Sequence, residues 1–369
     1  MQTVLFSTRK GLFAAEGSAG RVRVRSVGFL GDNCVLSMVD PRDGAWYTAL
    51  NLGHFGSKLH RSDDRGATWR EVAVPVYPER PADRPVNPRE NMGRPAPWVL
   101  NLIWALEPGG ADEPGVLWCG TLPGALFRSA DRGESWTLVE PLWYMPQREE
   151  WFGGGAPWPG MHSVCVDPKN SRRVLVGISC GGVWLTEDGG ATWRVQAKGM
   201  RAAFMPPEQA FDENIQDPHR MVQCPSSPQR LWVQHHNGIF RSDDGAASWQ
   251  EIGEAGPSTF GFATAVHPDD PDRAWFIPAL NDERRVPVGG RVVVTRTSDG
   301  GKTFETLTRG LPQQNAYDIV FRHSLAIDRS GDRLAFGSTT GGAWITEDGG
   351  NSWTALDARL PPIYAVTWA

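Results

Sequence analysis

The chain has 369 residues, among them 42 Gly, 29 Pro and 17 Trp, with 40 % hydrophobic residues. Turn-forming and aromatic residues at this density favour many short strands and argue against a helical protein. The net charge of −5, from 42 acidic and 37 basic residues, gives no reason to expect a nucleic acid or an anionic membrane as partner.

At the N-terminus, MQTVLFSTRK lacks the charged, then apolar, then small-residue succession of a secretory signal. No 18-residue apolar run occurs anywhere to span a bilayer. A soluble, cytoplasmic protein is the expectation. Cys34, Cys119, Cys165, Cys180 and Cys224 are odd in number and scattered, with no CxxC, which argues against a disulfide framework and a cysteine zinc site. The first strand signal, Val4–Glu16 (VLFSTRKGLFAAE), reads as two strands around a turn. A further strand signal ending in a turn, Leu36–Gly44, comes next and opens a repeating pattern.

An octapeptide then recurs six times. Its copies are Ser62–Trp69 (SDDRGATW), Ser129–Trp136 (SADRGESW), Thr186–Trp193 (TEDGGATW), Ser242–Trp249 (SDDGAASW), Thr297–Phe304 (TSDGGKTF) and Thr346–Trp353 (TEDGGNSW). Their third-position aspartates, Asp64, Asp131, Asp188, Asp244, Asp299 and Asp348, lie 49 to 67 residues apart. Each Asp can accept from nearby backbone N–H groups, and the Gly after it permits positive φ. The closing aromatic buries a large apolar surface. Six copies fit a structural turn, because an active site occurs once. Each unit supplies four strands, the number in a propeller blade. The N-terminal unit lacks an innermost strand, and Ile363–Ala369 matches the missing one. The reading is therefore all-β: one domain, residues 1–369, a seven-bladed β-propeller of four-stranded blades, closed by the C-terminal strand pairing with the N-terminal blade.

The octapeptides resemble those of the BNR or Asp-box repeat β-propellers, a group that includes sialidases, the sortilin ectodomain, xyloglucanases and a photosystem assembly factor. The resemblance runs from Val4 to Ala369 and is strongest with bacterial proteins labelled exo-α-sialidase-like or glycosyl hydrolase. Such boxes specify fold better than activity. Sialidases are similar in their boxes but have six blades, an N-terminal Phe/Tyr-Arg-Ile/Val-Pro motif and an arginine triad. Seven blades without that motif count against true sialidase activity here.

The connections Val74–Asn101, Glu140–His162, Ala197–His219 and Arg309–His323 are long, and they collect on the face opposite the octapeptides. Five residues before the strand ends Asp167, Cys224 and Asp328 stand His162, His219 and His323, one equivalent position in blades four, five and seven. His235 and His236 add a pair in the turn QHHNG on the same face. Converging imidazoles suit a divalent transition metal (Zn, Mn or Fe), with His162, His219 and His323 as ligands, and also general acid–base work. The expected catalytic set is His162, His219, His235, His236 and His323 with Tyr317 and Arg322. Asn101, Arg284, Arg285 and Trp151 are the expected substrate contacts. Loop acids including Asp217 read as solvated positions, and most loop aromatics as pins for the loops. The functional expectation is a hydrolase or lyase acting on a small polar, carbohydrate-like substrate in a His-rich pocket, with metal assistance open. The alternative is a non-catalytic binding or assembly scaffold with a protein partner.

Overall fold

The structure, a computed structural model, describes residues 2–18, 21–84 and 86–369. They form seven four-stranded antiparallel sheets arranged as the blades of a propeller. Blade one joins Ile363–Trp368 to Gln2–Thr8, Gly11–Ser18 and Arg21–Gly28. Blades two to seven each use four consecutive strands, and their innermost strands are Cys34–Val39, Leu102–Pro108, Gly160–Asp167, Pro218–Gln223, Gly261–Val266 and Leu325–Ile327. The C-terminal strand runs antiparallel to the N-terminal one, with Val4 opposite Trp368 and Ser7 opposite Ala365. Ring closure agrees with the expectation from sequence.

Alternation along each strand sends apolar side chains to both faces of every sheet, because each sheet is sandwiched between two others. Each of the seven junctions between neighbouring blades accordingly holds its own apolar cluster. Trp69, Trp136 and Trp249, which close three of the octapeptides, donate their indole N–H to carbonyls of the preceding blade, at Val27, Ala73 and Gln196. One side chain thereby fills a junction and pins it.

The octapeptides form one repeated turn. In the third copy, Asp188 Oδ1 accepts from the Thr186 hydroxyl (2.8 Å) and the Thr192 N–H (2.9 Å), while Oδ2 accepts from the Thr192 hydroxyl (2.6 Å). The same set recurs at Asp64, Asp131, Asp244, Asp299 and Asp348. The fourth and fifth residues of all six turns have φ between 57° and 101°. Gly occupies most of these sites, and Arg65, Arg132 and Ala246 accept the left-handed cost in the others.

Innermost strands of six blades line an axial channel of about 770 Å³. It extends from His323 and Arg220 to the strand ends Asp40, Pro108 and Asp328 on the octapeptide face.

Closure and the repeated turn can each be tested by stability. Ile363 is fully buried in the junction between blades seven and one, so Ile363→Ala should cost about 2–5 kcal/mol in denaturant unfolding. Hydrogen bonds from Thr68, Ser135, Thr192 and Thr303 lower the carboxyls of Asp64, Asp131, Asp188 and Asp299, and at Asp244 and Asp348 similar bonds outweigh burial. A depressed carboxyl contributes stability above its unfolded value, about 4, and loses it as pH falls through the folded value, about 2 at Asp64 and Asp299. Stability should therefore fall between about pH 4 and pH 2. Asp348→Ala should cost about 1 kcal/mol at pH 7, the low figure reflecting its exposure, and less as pH falls and the carboxyl is protonated.

Candidate functional site

The loop-side start of the inner strand is irregular in most blades. Strand pairing slips at Val35, Trp104, His162, His219 and Phe262, each the extra residue or one of the extra residues of a β-bulge. A bulge breaks the two-residue alternation and re-aims a side chain. These positions are equivalent from blade to blade, so the shared position of His162 and His219 is one that each of these blades uses. Trp104 and His162 meet edge to face at 5.5 Å, and His219 stacks on Phe262 at 4.7 Å. The Arg322 guanidinium lies over both Trp104 (4.9 Å) and Phe262 (5.5 Å). Burial pushes Arg322 down to about 10.

His323 lies just ahead of its strand, bridged to Ala365 of blade one. Its Nε2 donates across the axis to the His162 carbonyl (2.8 Å), which also accepts from Arg220 (3.3 Å). This group closes the loop end of the channel. His162 is fully buried, its Nδ1 3.0 Å from the Ser163 hydroxyl and its Nε2 without a partner. Burial, reinforced by Arg322, holds His162 well below the usual imidazole range, and burial does the same to His323. The backbone N–H groups of Asp217 and Asn237 point at the two ring nitrogens of His235, and burial takes that ring down to about 3.

A second assembly lies beside this one. Asp217, directly ahead of the inner strand of blade five, is 2 % exposed. Its Oδ1 accepts from the Ser179 hydroxyl (3.0 Å) and the Cys180 N–H (3.1 Å). Its Oδ2 lies 3.3 Å from His236 Nδ1 and 3.6 Å from His219 Nε2. His219 Nδ1 is 2.7 Å from the Gly261 carbonyl, and His236 Nε2 is 3.2 Å from Asp282 at the tip of blade six. Burial alone would raise the Asp217 carboxyl, but hydrogen bonding with His219 and His236 holds it well below the usual range. Burial keeps His219 below its ordinary value against the pull of Asp217. For His236 burial works downward, and Asp217 with Asp282 outweighs it to give a net rise.

Gly154, from the long loop of blade four, roofs this cluster. A Cβ there would stand 2.9 Å from Cys180 Sγ and 3.1 Å from Asp217 Oδ2. The half-buried edge of His236 meets Phe204 at 4.9 Å, and Phe211 is 65 % exposed nearby in sequence.

The structure corrects three expectations. His162, His219 and His323 do not form one ligand set: among the described residues, the group able to hold a metal is Asp217, His219 and His236. His323 is instead committed to the His162 carbonyl. The expected His-rich pocket is not open at these rings: His162, His219 and His235 are packed, and the axial channel is a separate cavity lined by His323 alone of these histidines. Trp151 presents no surface to a ligand, being fully buried against Trp184 with its indole N–H on Asn214 Oδ1 (2.8 Å). It belongs to the loop core, together with Trp143 and the Arg148 guanidinium 3.7 Å from the Trp143 ring.

The remaining expected contacts are scattered. The Asn101 carbonyl ties blade two through Asn51 and Ser57. Arg284 is exposed at the tip of blade six, its backbone N–H held by Asn281. Arg285 lies over Phe262 at 5.5 Å. Tyr317 is 65 % exposed. Sequence reasoning overlooked the roles of Asp217 and Asp282. The D-x-H spacing of Asp217 and His219 at a strand start was a usable signal, whereas nothing local marks Asp282.

No description of a known protein family matches the chain. It is 26 % identical over 147 residues to xyloglucanase Xgh74A of Acetivibrio thermocellus, covering 35 % of this chain and 16 % of that protein. It is 25 % identical over 339 residues to an oligoxyloglucan-reducing end-specific xyloglucanase of Emericella nidulans, covering 84 % and 37 %. Among solved structures, the GH74 xyloglucanase from Xanthomonas campestris superposes with a TM-score of 0.63 at 19 % identity, over all of this chain and 52 % of that one. The chain thus spans well under two thirds of the length of these relatives. The structural likeness shows the propeller fold.

Trp151→Ala should cost about 3–5 kcal/mol in equilibrium unfolding, the signature of a loop-core residue, and a stability change near zero would return it to the surface.

Proposed function

We propose that the protein is a carbohydrate-acting hydrolase whose chemistry lies at Asp217, His219 and His236. The observation that carries this reading is a buried carboxylate held ionised between two imidazoles, at the end of the propeller where the long loops gather. Xyloglucanases are what the curated relatives are named, and they favour hydrolysis over the lyase alternative. Glycosidic cleavage builds positive charge on the sugar ring in the transition state. The fixed charge of Asp217 would stabilise it in a site shielded from water. His219, its Nδ1 turned to the Gly261 carbonyl, leaves Nε2 facing the same point, placed to take a proton from attacking water. Phe204, against the edge of His236, offers a flat apolar face on the approach, and Arg285 a guanidinium for substrate oxygens. Gly154 covers Asp217, so access of a substrate requires the Gly153–Gly155 segment to move aside. His162, His235 and His323 serve the scaffold in this reading, and Arg322, over the Phe262 ring that stacks on His219, lies at its margin.

The test is release of reducing ends from xyloglucan oligosaccharides and aryl glycosides. Asp217→Asn should lower kcat by about 100-fold or more, while far-UV circular dichroism stays unchanged. No turnover by the parent protein on any of these substrates, or full activity in Asp217→Asn, would overturn the proposal.

A further inference from the structure

We infer that Asp217, His219 and His236 bind one divalent transition-metal ion, through Asp217 Oδ2, His219 Nε2 and His236 Nδ1. These three atoms lie within 4.8 Å of one another. The two nitrogens stand 3.6 and 3.3 Å from the carboxylate oxygen. Ligands about 2.0–2.1 Å from a tetrahedral ion are themselves about 3.3 Å apart, so each imidazole nitrogen already stands close to that distance from the carboxylate oxygen.

The outer partners of the two rings supply the stronger argument. The Gly261 carbonyl can only accept, so the His219 proton sits on Nδ1 and Nε2 presents a lone pair to Asp217. Asp282 likewise accepts from His236 Nε2, so in the neutral ring Nδ1 is the nitrogen that faces Asp217 and is available to a metal. The inner nitrogens share the carboxylate oxygen with a proton when a ring is charged, and a divalent ion takes the place of that proton when the rings are neutral. Metal-binding histidines are oriented in this way, with the distal N–H on a carbonyl or a carboxylate. Gly154 supplies the room, since any side chain there would come within 3.1 Å of Asp217 Oδ2. Two neutral imidazoles and one carboxylate select Zn, Fe(II), Co or Mn over Ca or Mg, and leave coordination positions open for water. The Nε2 lone pair of His219 cannot act as base while it holds the ion, so a role for the ion in hydrolysis would replace that step of the function proposed above; its binding does not rest on that function.

The experiment uses the full chain, stripped with chelator and titrated with Zn²⁺ alone by calorimetry, with metal content by mass spectrometry and the visible spectrum of the Co²⁺-loaded protein as further readouts. One ion per chain is expected, with a tetrahedral or five-coordinate Co²⁺ spectrum. His219→Ala and His236→Ala should abolish the site, and Asp282→Asn should weaken it by about 10–100-fold. His54→Ala, an exposed histidine outside the cluster, should bind as the parent does. His236 and Asp282 are only partly buried (17 % and 46 % exposed), so their variants keep the test valid should His219→Ala fail to fold. Absence of stoichiometric binding, or equal binding by the parent and His236→Ala, overturns the inference. Stoichiometric binding without sugar release would sustain the ion and overturn the hydrolase reading, whereas sugar release without binding would do the reverse.

Discussion

Everything in this molecule rests on the antiparallel pairing of Ile363–Trp368 with the N-terminal strand. A propeller blade is apolar on both faces and is stable only between two neighbours. Six complete blades in an open arc would leave two sheets uncovered and two rows of backbone groups unpaired. Pairing chain ends more than 350 residues apart in sequence removes both defects at once. The seven apolar junctions are thereby equivalent, and no blade is terminal in space.

Closure leaves the inner strands crowded around one axis, and their bulges decide what faces it. At Val35, Trp104, His162, His219 and Phe262 the slip in pairing frees a side chain from the regular alternation. The role each freed side chain takes is set by the neighbours it meets. His162 and His323 join Arg220 in closing the channel, whereas His219 turns toward Asp217 and the tip of blade six. One backbone device thus serves both a structural plug and a chemical cluster.

The fold was legible because its determinants are local. Each octapeptide carries its own Asp, glycine and aromatic, and a turn whose bonds span four residues can be read within eight. Closure was legible because Ile363–Ala369 matches a strand missing from the first unit. The candidate site was legible only as a position. The register of His162, His219 and His323 is periodic, but several partners arrive from other blades: Ala365 and His162 for His323, Gly261 for His219, Asp282 for His236. Asp217 looked like a solvated loop acid because nothing local reveals that Ser179, Cys180 and Gly154 enclose it. Trp151 misled for the opposite reason, since a loop aromatic and a ligand-stacking aromatic have the same sequence.

The contact from His323 to the His162 carbonyl joins blades that lie nearly opposite in a ring of seven. It acts as a crossbar. A ring held only by neighbour-to-neighbour packing can flatten into an oval, with small slips shared among many junctions. A tie across its diameter forbids the softest of those distortions at the loop end while leaving the octapeptide end free to breathe. The Asp217 cluster sits at the end that carries this tie, where its histidines and Asp282 come from blades five and six.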